Sequence, residues 1–269
     1  MKLKRILSGK IPEEALKSFS GHFEVTGDIA VISIPPICQN YKEEIADAIF
    51  SIRKDVKTVL QKTSCIKGEK RVGEYEFIKG ERRTDTIHKE AGYSYKIDLS
   101  SVFFSPKLCY ERMRTASQVR PGERIIVPFA GAGPFAIPAA DKVLEVIAVE
   151  KNPDACRYFQ ENLKINGLRE KGDIICGDAL FISDMFCEKE YFDRAIIPTA
   201  YGLDIALLKT AAVVKTGGII HFYTFKTKEE ISGLILFFKE KGLETVFFRR
   251  CGNIAPGVFR WVFDLKKTG

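Results

Sequence analysis

A glycine-containing turn between two apolar runs is the feature that most constrains the fold of this chain. An apolar run at 125–128 breaks into a turn that contains Gly131 and Gly133, and a second apolar run at 146–149 ends in Glu150. In parallel α/β sheets, a turn of this kind holds a nucleotide-type cofactor at the carboxyl ends of the strands. The pattern therefore predicts a cofactor-using enzyme, although the same glycines would also suit a plain strand-to-helix turn.

The spacing within this turn bears on which cofactor is bound. Gly131 and Gly133 let the backbone approach a ligand, and Glu150 can accept two hydrogen bonds from the vicinal hydroxyls of a ribose. Phe135 and Ala136 stand where the dinucleotide pattern G-x-G-x-x-G requires its third glycine. The departure favours S-adenosylmethionine over NAD.

A third strand adds a second acidic residue to the predicted site. The apolar run at 173–176 is followed by Gly177 and Asp178, and a carboxylate there is placed to accept a hydrogen bond from an adenine amino group. Glu150 or Asp178 alone is more often a helix cap or a solvated charge. On successive strand ends, the two acids together favour an adenosine site.

Length and composition exclude several classes of protein. The 269 residues allow one large domain or two modest ones. The sequence has no apolar run long enough for a membrane helix and no signal-peptide pattern, so we expect a cytoplasmic protein without membrane contact. Its 7 cysteines are scattered without a C-x-x-C pair, which indicates neither a disulfide framework nor a metal site.

The hydrophobic pattern changes along the chain and predicts two domains. Short strand-like runs with one amphipathic helix at 41–53 predict a small α+β domain over residues 1–98. Strands alternating with helices predict an α/β domain over residues 99–269. We expect this second domain to be a doubly wound parallel sheet with an antiparallel edge formed by the runs 245–248 and 259–265.

The positive charge is clustered. The formal net charge is +7, and basic residues concentrate at 67–71, 79–83 and 112–114. Lys and Arg neutralise phosphates while aromatic side chains stack on unpaired bases, so the pattern suits structured RNA as well as it suits a solvated basic surface. The interleaved aromatic residues are Tyr75, Phe77, Tyr93 and Tyr95.

Five motifs in order resemble one known family. They are Thr86–Glu90, Phe104–Leu108 followed by Glu111 and Arg112, Phe129–Phe135, Glu150–Pro153 and Ala255–Val258. Over residues 25–266 the chain resembles the archaeal and eukaryotic enzymes that modify tRNA at guanosine-37. These are the N1-guanosine methyltransferases and the related wybutosine-pathway enzymes, one of which transfers the aminocarboxypropyl group of S-adenosylmethionine.

The resemblance implies a fold, partners and site residues. It implies a class I methyltransferase-like (Rossmann-like) domain after a small α+β domain that faces RNA, with tRNA as partner and no metal. The residues before the first strand are too few for the extra N-terminal domain that many of these methyltransferases carry, so we expect recognition of the anticodon arm alone, by a monomer. The expected cofactor-binding residues are Ser105, Arg112, Phe129, Gly131, Gly133, Glu150, Lys151, Asp178, Ala179 and Pro198.

Two further residues are expected to act on the base. By motif position, Glu111 resembles the family's general base for the guanine N1 proton. Arg71 resembles the arginine that lies at the guanine oxygen, where a cation offsets the negative charge developing on the purine. Alternatively, Glu111 is an ordinary ion-pair partner on a helix and Arg71 contacts phosphates.

The chain departs from the family at two prolines. Pro128 replaces the acid that usually ends the strand before the glycine loop, and Pro198 begins Pro-Thr-Ala-Tyr where 1-methylguanosine enzymes carry Asn-Pro-Pro or Asn-Leu-Pro. The Gly-Pro-Phe of the loop resembles the methyltransferases, which favours methyl transfer to guanosine or to a wyosine precursor. The short N-terminus resembles the aminocarboxypropyl enzymes. A non-catalytic RNA-binding protein and a small-molecule methyltransferase are the alternatives from other classes.

Overall fold

The computed structural model describes residues 2–63, 73–186, 190–199 and 201–269. The chain forms two compact units, residues 1–107 and 108–269. The predicted division after residue 98 and the RNA-facing role of the first domain stay predictions.

The first unit is a small α+β domain. A four-stranded sheet with the order β1-β2-β3-β4 pairs β2 with β3 in parallel and the outer pairs antiparallel, and β5 and β6 form a separate hairpin. The elements are α1 (Lys2–Leu7), α2 (Glu13–Ser18), β1 (Phe23–Thr26), β2 (Ile29–Ile32), a 3-10 helix (Pro36–Tyr41), α3 (Lys42–Ile52), β3 (Thr58–Lys62), β4 (Tyr75–Gly80), β5 (Asp85–Glu90) and β6 (Tyr93–Asp98). The amphipathic helix predicted at 41–53 is α3.

The Thr86–Glu90 motif is a structural tie within this unit. The Thr86 hydroxyl donates to Asp28 Oδ1 at 2.7 Å, and the backbone N–H of Gly27 donates to His88 Nδ1 at 3.1 Å. Gly27 has φ +57, and a Cβ there would lie 2.1 Å from Thr86 Oγ1. The motif therefore holds β5 against the turn that joins β1 to β2.

The second unit is an α/β domain built on a seven-stranded sheet. Its elements are a 3-10 helix (Pro106–Leu108) at the boundary, α4 (Cys109–Ser117), β7 (Arg124–Pro128), α5 (Ala136–Ala140), β8 (Glu145–Glu150), α6 (Pro153–Ile165), a 3-10 helix (Arg169–Lys171), β9 (Gly172–Cys176), a 3-10 helix (Ala179–Phe181), α7 (Ile182–Met185), β10 (Phe192–Ile197), α8 (Ala206–Ala211), β11 (Val214–Lys226), α9 (Glu230–Glu240), β12 (Leu243–Ala255) and β13 (Val258–Lys267).

The sheet order confirms the predicted doubly wound architecture. The order is β12-β13-β11-β10-β7-β8-β9. Strands β9, β8, β7, β10 and β11 are parallel, and β13 and β12 pair antiparallel at the edge. The chain order reverses between β7 and β10, and ligands of such sheets bind outside the carboxyl ends of the strands at this point.

Each unit has its own apolar core. In the second unit, buried side chains of the sheet such as Ile126, Phe222 and Phe263 pack with Leu207 of α8 and Phe238 of α9. In the first unit, Leu3 and Leu7 of α1 pack with Ile45 and Ile49 of α3 and with β2. No helix within the described ranges is long and apolar enough to cross a membrane.

Gly133 is required by both its backbone and its surroundings. Its φ is +93, and an added Cβ would lie 2.7 Å from Phe159 Cδ2, whereas Gly122, with φ +85, has open space around it. We expect Gly133→Ala to lower the free energy of unfolding by about 2 kcal/mol more than Gly122→Ala, because only the first adds a clash to the backbone strain. Denaturant unfolding followed by the fluorescence of the single Trp, Trp261, measures the difference. Equal losses in the two variants would contradict the packing argument.

Candidate active site

The glycine turn lies directly at the carboxyl end of β7. Phe129, Gly131 and Gly133 all have positive φ, at 55°, 57° and 93°. A non-glycine residue such as Phe129 rarely adopts this conformation, and such strain concentrates at ligand sites. The Glu150 carboxylate, at the end of β8, accepts the N–H of Gly131 at 2.9 Å on Oε2 and the N–H of Asn152 at 2.8 Å on Oε1.

The residues at this edge of the sheet fit the predicted cofactor. Each Glu150 oxygen accepts one backbone N–H, and a carboxylate oxygen has about two acceptor positions, so each can also accept a ribose hydroxyl. The backbone N–H groups of Gly131 and Asn152 fix both oxygens at the strand end. The geometry is that of a preformed acceptor for two neighbouring hydroxyl groups.

Asp178 follows β9, and its two carboxylate oxygens have different partners. Its Oδ1 accepts the N–H of Leu180 at 3.0 Å and caps the 3-10 helix at 179–181, while Lys151 Nζ lies 3.3 Å from Oδ2. Lys151 is half exposed, and Ala179 is buried at the start of the same turn. Pro198 follows β10 at the same edge of the sheet. The helix-cap interpretation of Asp178 therefore holds, and it leaves acceptor positions for an adenine amino group.

Glu111 is a buried carboxylate held by three side chains. It is only 2% exposed on α4. Its Oε2 accepts Arg114 Nε at 2.9 Å and the Tyr223 hydroxyl at 3.0 Å. Its Oε1 accepts Arg249 Nε at 3.0 Å and also Arg249 Nη2. Burial, and then the charge of Glu111, raise the pKa of Tyr223 well above its usual value, so this phenol stays a donor.

An aromatic pair connects this cluster to the glycine turn. The Tyr223 ring lies 5.2 Å from the ring of Phe135, the last residue of the turn. The guanidinium of Arg112, 2% exposed, lies 5.9 Å from the same Phe135 ring. Glu111 and Arg112 therefore lie one side-chain layer from the glycine turn, within one unit.

A buried chain of polar groups continues behind Glu111. Arg114 also donates to both Asp264 oxygens, at 2.6 and 3.0 Å. Asp264 Oδ1 lies 2.6 Å from His221 Nδ1, and His221 Nε2 lies 2.8 Å from Arg194 Nη1. Arginine can only donate, so His221 Nε2 accepts and its Nδ1–H donates to Asp264. Arg194 in turn donates to Glu123 at 2.7 and 2.9 Å.

The pKa shifts agree with this assignment of protons. Complete burial lowers the pKa of His221, outweighing its hydrogen bond to Asp264, so the imidazole is neutral. Burial acts to raise the pKa of Asp264, but hydrogen bonds from His221 and Arg114 outweigh it and hold this pKa well below its usual range. The network therefore contains an ionised carboxylate between a neutral imidazole and a guanidinium.

The structure contradicts the predicted RNA surface at residues 112–114. Arg112 is buried, only 12% of the Arg114 side chain is exposed, and Tyr95 has no exposed surface. Lys79 pairs with Asp47 at 2.8 Å, and Arg83 pairs with Asp28 at 2.6 Å. Residues 67–71, including Arg71, lie outside the described residues, so the proposed contact of Arg71 stays a prediction. Ser105 belongs to the first unit, and its predicted cofactor contact also stays a prediction.

Sequence reasoning missed the residues that surround Glu111. Tyr223, Arg249 and Asp264 come from β11, β12 and β13, and no local motif marks them. The cations Arg250 and Arg260 of the same hairpin lie over Phe259 and Phe225, each 4.8 Å from the ring centre. In the part of the chain that the structure describes, no cluster of three His, Cys, Asp or Glu could hold a metal ion.

The strand order, with a glycine turn after β7 and acids after β8 and β9, defines a class I methyltransferase-like domain. The family model described as the TRM5/TYW2 methyltransferase domain matches residues 86–241, and the TYW2 N-terminal domain matches residues 3–84. The chain belongs to the TRM5/TYW2 family. The resemblance drawn from the five motifs is confirmed, as are the fold class and the enzyme class.

Three relatives carry different activities. The tRNA (guanine(37)-N(1))-methyltransferase Trm5b of Pyrococcus abyssi is 37% identical over 80% of this chain, which spans 63% of that protein. The tRNA 4-demethylwyosine(37)-methyltransferase Taw21 of Saccharolobus solfataricus is 34% identical over 90% of this chain and 92% of its own length. The tRNA(Phe) (4-demethylwyosine(37)-C(7)) aminocarboxypropyltransferase of Pyrococcus horikoshii is 30% identical over 98% of this chain and 96% of its own.

Solved structures agree with the fold and with the family's ligands. Trm5b from Pyrococcus abyssi superposes with a TM-score of 0.86 at 33% identity, over 96% of this chain and 79% of that one. The complex of aTrm5 with tRNALeu gives 0.85 at 29%, over 99% and 78%. TYW2 from Pyrococcus horikoshii in complex with MeSAdo gives 0.79 at 28%, over 98% and 97%. The predicted cofactor and the tRNA partner are thus confirmed at the level of the family.

Proposed function

We propose that this chain is an S-adenosylmethionine-dependent methyltransferase that modifies the purine at position 37 of tRNA, at guanosine N1 or on a wyosine precursor. The observation that carries the proposal is a buried carboxylate, Glu111, held one aromatic layer from a preformed adenosine acceptor site. The cytoplasmic location, the monomeric state and recognition of the anticodon arm alone stay predictions.

Residues of the second unit are proposed to bind different parts of the cofactor. When bound, S-adenosylmethionine supplies a carbon made electrophilic by the adjoining sulfonium. Glu150 holds the ribose hydroxyls, Asp178 accepts from the adenine amino group beside Ala179, and the turn with Gly131 and Gly133 lets the ligand approach the backbone. Phe129, Lys151 and Pro198 directly follow β7, β8 and β10 at the same edge of the sheet, and Arg112 lies against Phe135 of the turn. These four residues are proposed as further cofactor contacts. Ser105 is proposed as a further contact on motif position alone.

Glu111 is proposed as the general base. Guanine N1 is a weak acid in water, so its proton leaves readily only to a positioned acceptor. Transfer of that proton to a Glu111 oxygen leaves the electron pair on N1 available for the new bond. Arg71 is proposed to offset the charge that develops on the purine oxygen.

The proposed role of Glu150 predicts that a conservative substitution strongly lowers the affinity for the cofactor. In Glu150→Gln the amide nitrogen must face the N–H of Gly131 or of Asn152. Both groups are then donors, so one of these hydrogen bonds is lost. We expect cofactor affinity to fall by about 1.5–3 kcal/mol, roughly 10-fold or more. Titration calorimetry with S-adenosylmethionine measures the loss. Glu145→Gln, at the other end of β8, is the matched control and should bind as the wild type does; equal affinity in both variants would contradict the ribose assignment.

Aminocarboxypropyl transfer is the second candidate, and a specific observation favours it. The TYW2 N-terminal domain model matches residues 3–84, and the chain covers nearly the full length of the horikoshii aminocarboxypropyltransferase. The Gly133-Pro134-Phe135 sequence and the 34% identity with Taw21, over 92% of its length, favour methyl transfer.

Two labelled cofactors decide between these reactions. S-adenosylmethionine labelled in the methyl group transfers label to tRNA only in methyl transfer, and cofactor labelled in the carboxyl carbon does so only in aminocarboxypropyl transfer. We expect label from the methyl group alone. Label from the carboxyl carbon alone would establish the second candidate. Transfer from neither, with tRNA still bound, would favour a non-catalytic RNA-binding protein.

A further inference from the structure

The carboxylate proposed as the base has no acceptor position left. A carboxylate offers about four lone-pair positions. Arg114 and Tyr223 occupy those of Oε2, and the Nε and Nη2 groups of Arg249 occupy those of Oε1. A base needs an open lone pair to receive a proton, so one of these donors must leave before Glu111 can act.

The three donors differ in how firmly they are held. Arg114 is 12% exposed and also binds both oxygens of Asp264. Tyr223 is 2% exposed, with its ring against Phe135. Arg249 is 35% exposed, and it lies 4.4 Å from the ring of Tyr110, which is itself 65% exposed. Arg249 is therefore the donor whose departure disturbs the least packing.

The position of Arg249 gives it access to a polyanion. It lies on β12, the edge strand of the seven-stranded sheet, next to Arg250 and across the hairpin from Arg260. A guanidinium binds phosphate through two parallel hydrogen bonds, in the same geometry with which it binds a carboxylate. A phosphate of bound RNA can thus replace Glu111 as the partner of Arg249.

We propose that Arg249 blocks Glu111 in the free protein and that a phosphate of the bound tRNA draws this arginine away, which exposes Oε1 to the purine proton. The inference rests on the proposed function of Glu111. The base is then available only when RNA is bound, and Arg249 is a positioning residue that contacts the RNA backbone.

The groups that face Glu111 come from four elements. They are Arg114 from α4, Tyr223 from β11, Arg249 and Cys251 from β12, and Asp264 from β13 behind Arg114. Burial, and then the charge of Glu111, raise the pKa of Cys251 to about 12, so this thiol stays neutral. Arg249 and Arg114 are the two cations among these groups, and only Arg249 contacts Oε1.

The test compares Arg249→Met with Arg250→Met. Both variants lose one positive charge from the same hairpin and keep an apolar stem, but only Arg249 contacts Glu111. The affinity of the wild type and of each variant for tRNA is measured at several salt concentrations, with and without the additional change Glu111→Gln. Thermal melting confirms that both variants are folded; Arg249→Gln, which also removes the charge, replaces the methionine variant if that variant is unfolded.

We expect Glu111→Gln to bind tRNA about 10-fold more tightly than the wild type does, because Arg249 no longer has to leave a carboxylate to reach the phosphate. Adding Glu111→Gln to Arg249→Met should not raise the affinity, whereas adding it to Arg250→Met should raise it as in the wild type. The salt dependence of the tRNA affinity should weaken in Arg249→Met by a slope of about 0.7–0.9, the value for one phosphate contact.

A tRNA affinity that Glu111→Gln leaves unchanged or lowers would show that the ion pair persists in the complex and would overturn the inference. The same gain in affinity with and without Arg249, or an unchanged salt slope in Arg249→Met, would overturn it as well. Failure of the underlying function gives a different result: in that case Glu111→Gln keeps the wild-type rate at saturating tRNA.

Discussion

We expect Glu111→Gln to lower the single-turnover rate of tRNA modification about 10²–10⁴-fold. The amide keeps the shape of the side chain but cannot accept the purine proton. Affinity for S-adenosylmethionine should stay close to wild type, because the side chains of Tyr223 and Phe135 lie between Glu111 and the predicted adenosine acceptors. Rapid quench of a single turnover at saturating tRNA measures the rate, and calorimetry measures the affinity.

Glu123→Gln is the matched control for this variant. Glu123 is also a largely buried glutamate paired with an arginine, at 2.7 Å from Arg194 Nε, but it precedes β7 at the opposite edge of the sheet from the glycine turn. Both variants lose a charge from the buried network and should lose stability. Only Glu111→Gln should lose rate. A wild-type rate in Glu111→Gln would rule out the assignment of the base.

The second large effect concerns stability. Asp264 lies between His221 and Arg114, 3% exposed. Asp264→Ala leaves a buried guanidinium without one of its partners, and breaking a buried ion pair in this way costs about 3–5 kcal/mol. Denaturant unfolding followed by the fluorescence of Trp261 measures the loss. Asp154→Asn, in an exposed pair 3.8 Å from Arg157, should cost less than about 1 kcal/mol.

The same network predicts how stability depends on pH. The pKa of Asp264 is depressed in the folded protein, so its contribution is fully present above its unfolded value of about 4 and is lost as pH falls through the lower folded value. The pKa of His221 is also lowered in the folded protein. Below about pH 6.5 the unfolded state therefore binds a proton more readily than the folded state does. The free energy of unfolding decreases as the pH falls through this range. The free energy of unfolding of Asp264→Ala should not show the decrease that the wild type shows below about pH 4. A wild-type free energy of unfolding that stayed constant between pH 7 and pH 3 would contradict the assignments of both Asp264 and His221.

The parts of the molecule that local patterns encode could be predicted. The apolar runs at 146–149 and 173–176 are β8 and β9, and the acids that follow them lie at one edge of the sheet because parallel strands end there together. The runs at 245–248 and 259–265 fall within β12 and β13, which form the predicted antiparallel edge. In each case the signal is carried by neighbouring residues.

The cluster around Glu111 could not be predicted, because its members are distant in sequence. Tyr223 is 112 positions from Glu111, and Arg249 is 138 positions away. Arg112 and Arg114 belong to a basic cluster in the sequence, and such a cluster predicts an RNA surface because Lys and Arg neutralise phosphates. The partner of Arg114, Asp264, lies 150 positions further along the chain, and only the fold brings the two together.

Nucleoside mass spectrometry shows directly whether the protein modifies tRNA at position 37. The purified protein is incubated with S-adenosylmethionine and unmodified tRNA bearing guanosine-37, the same tRNA with adenosine at that position, or tRNA bearing the wyosine precursor. We predict a methyl-sized mass increase on the nucleoside at position 37 of the guanosine or the precursor substrate and none on the adenosine variant. No mass change on either natural substrate, or the same change on all three, would contradict the proposed function.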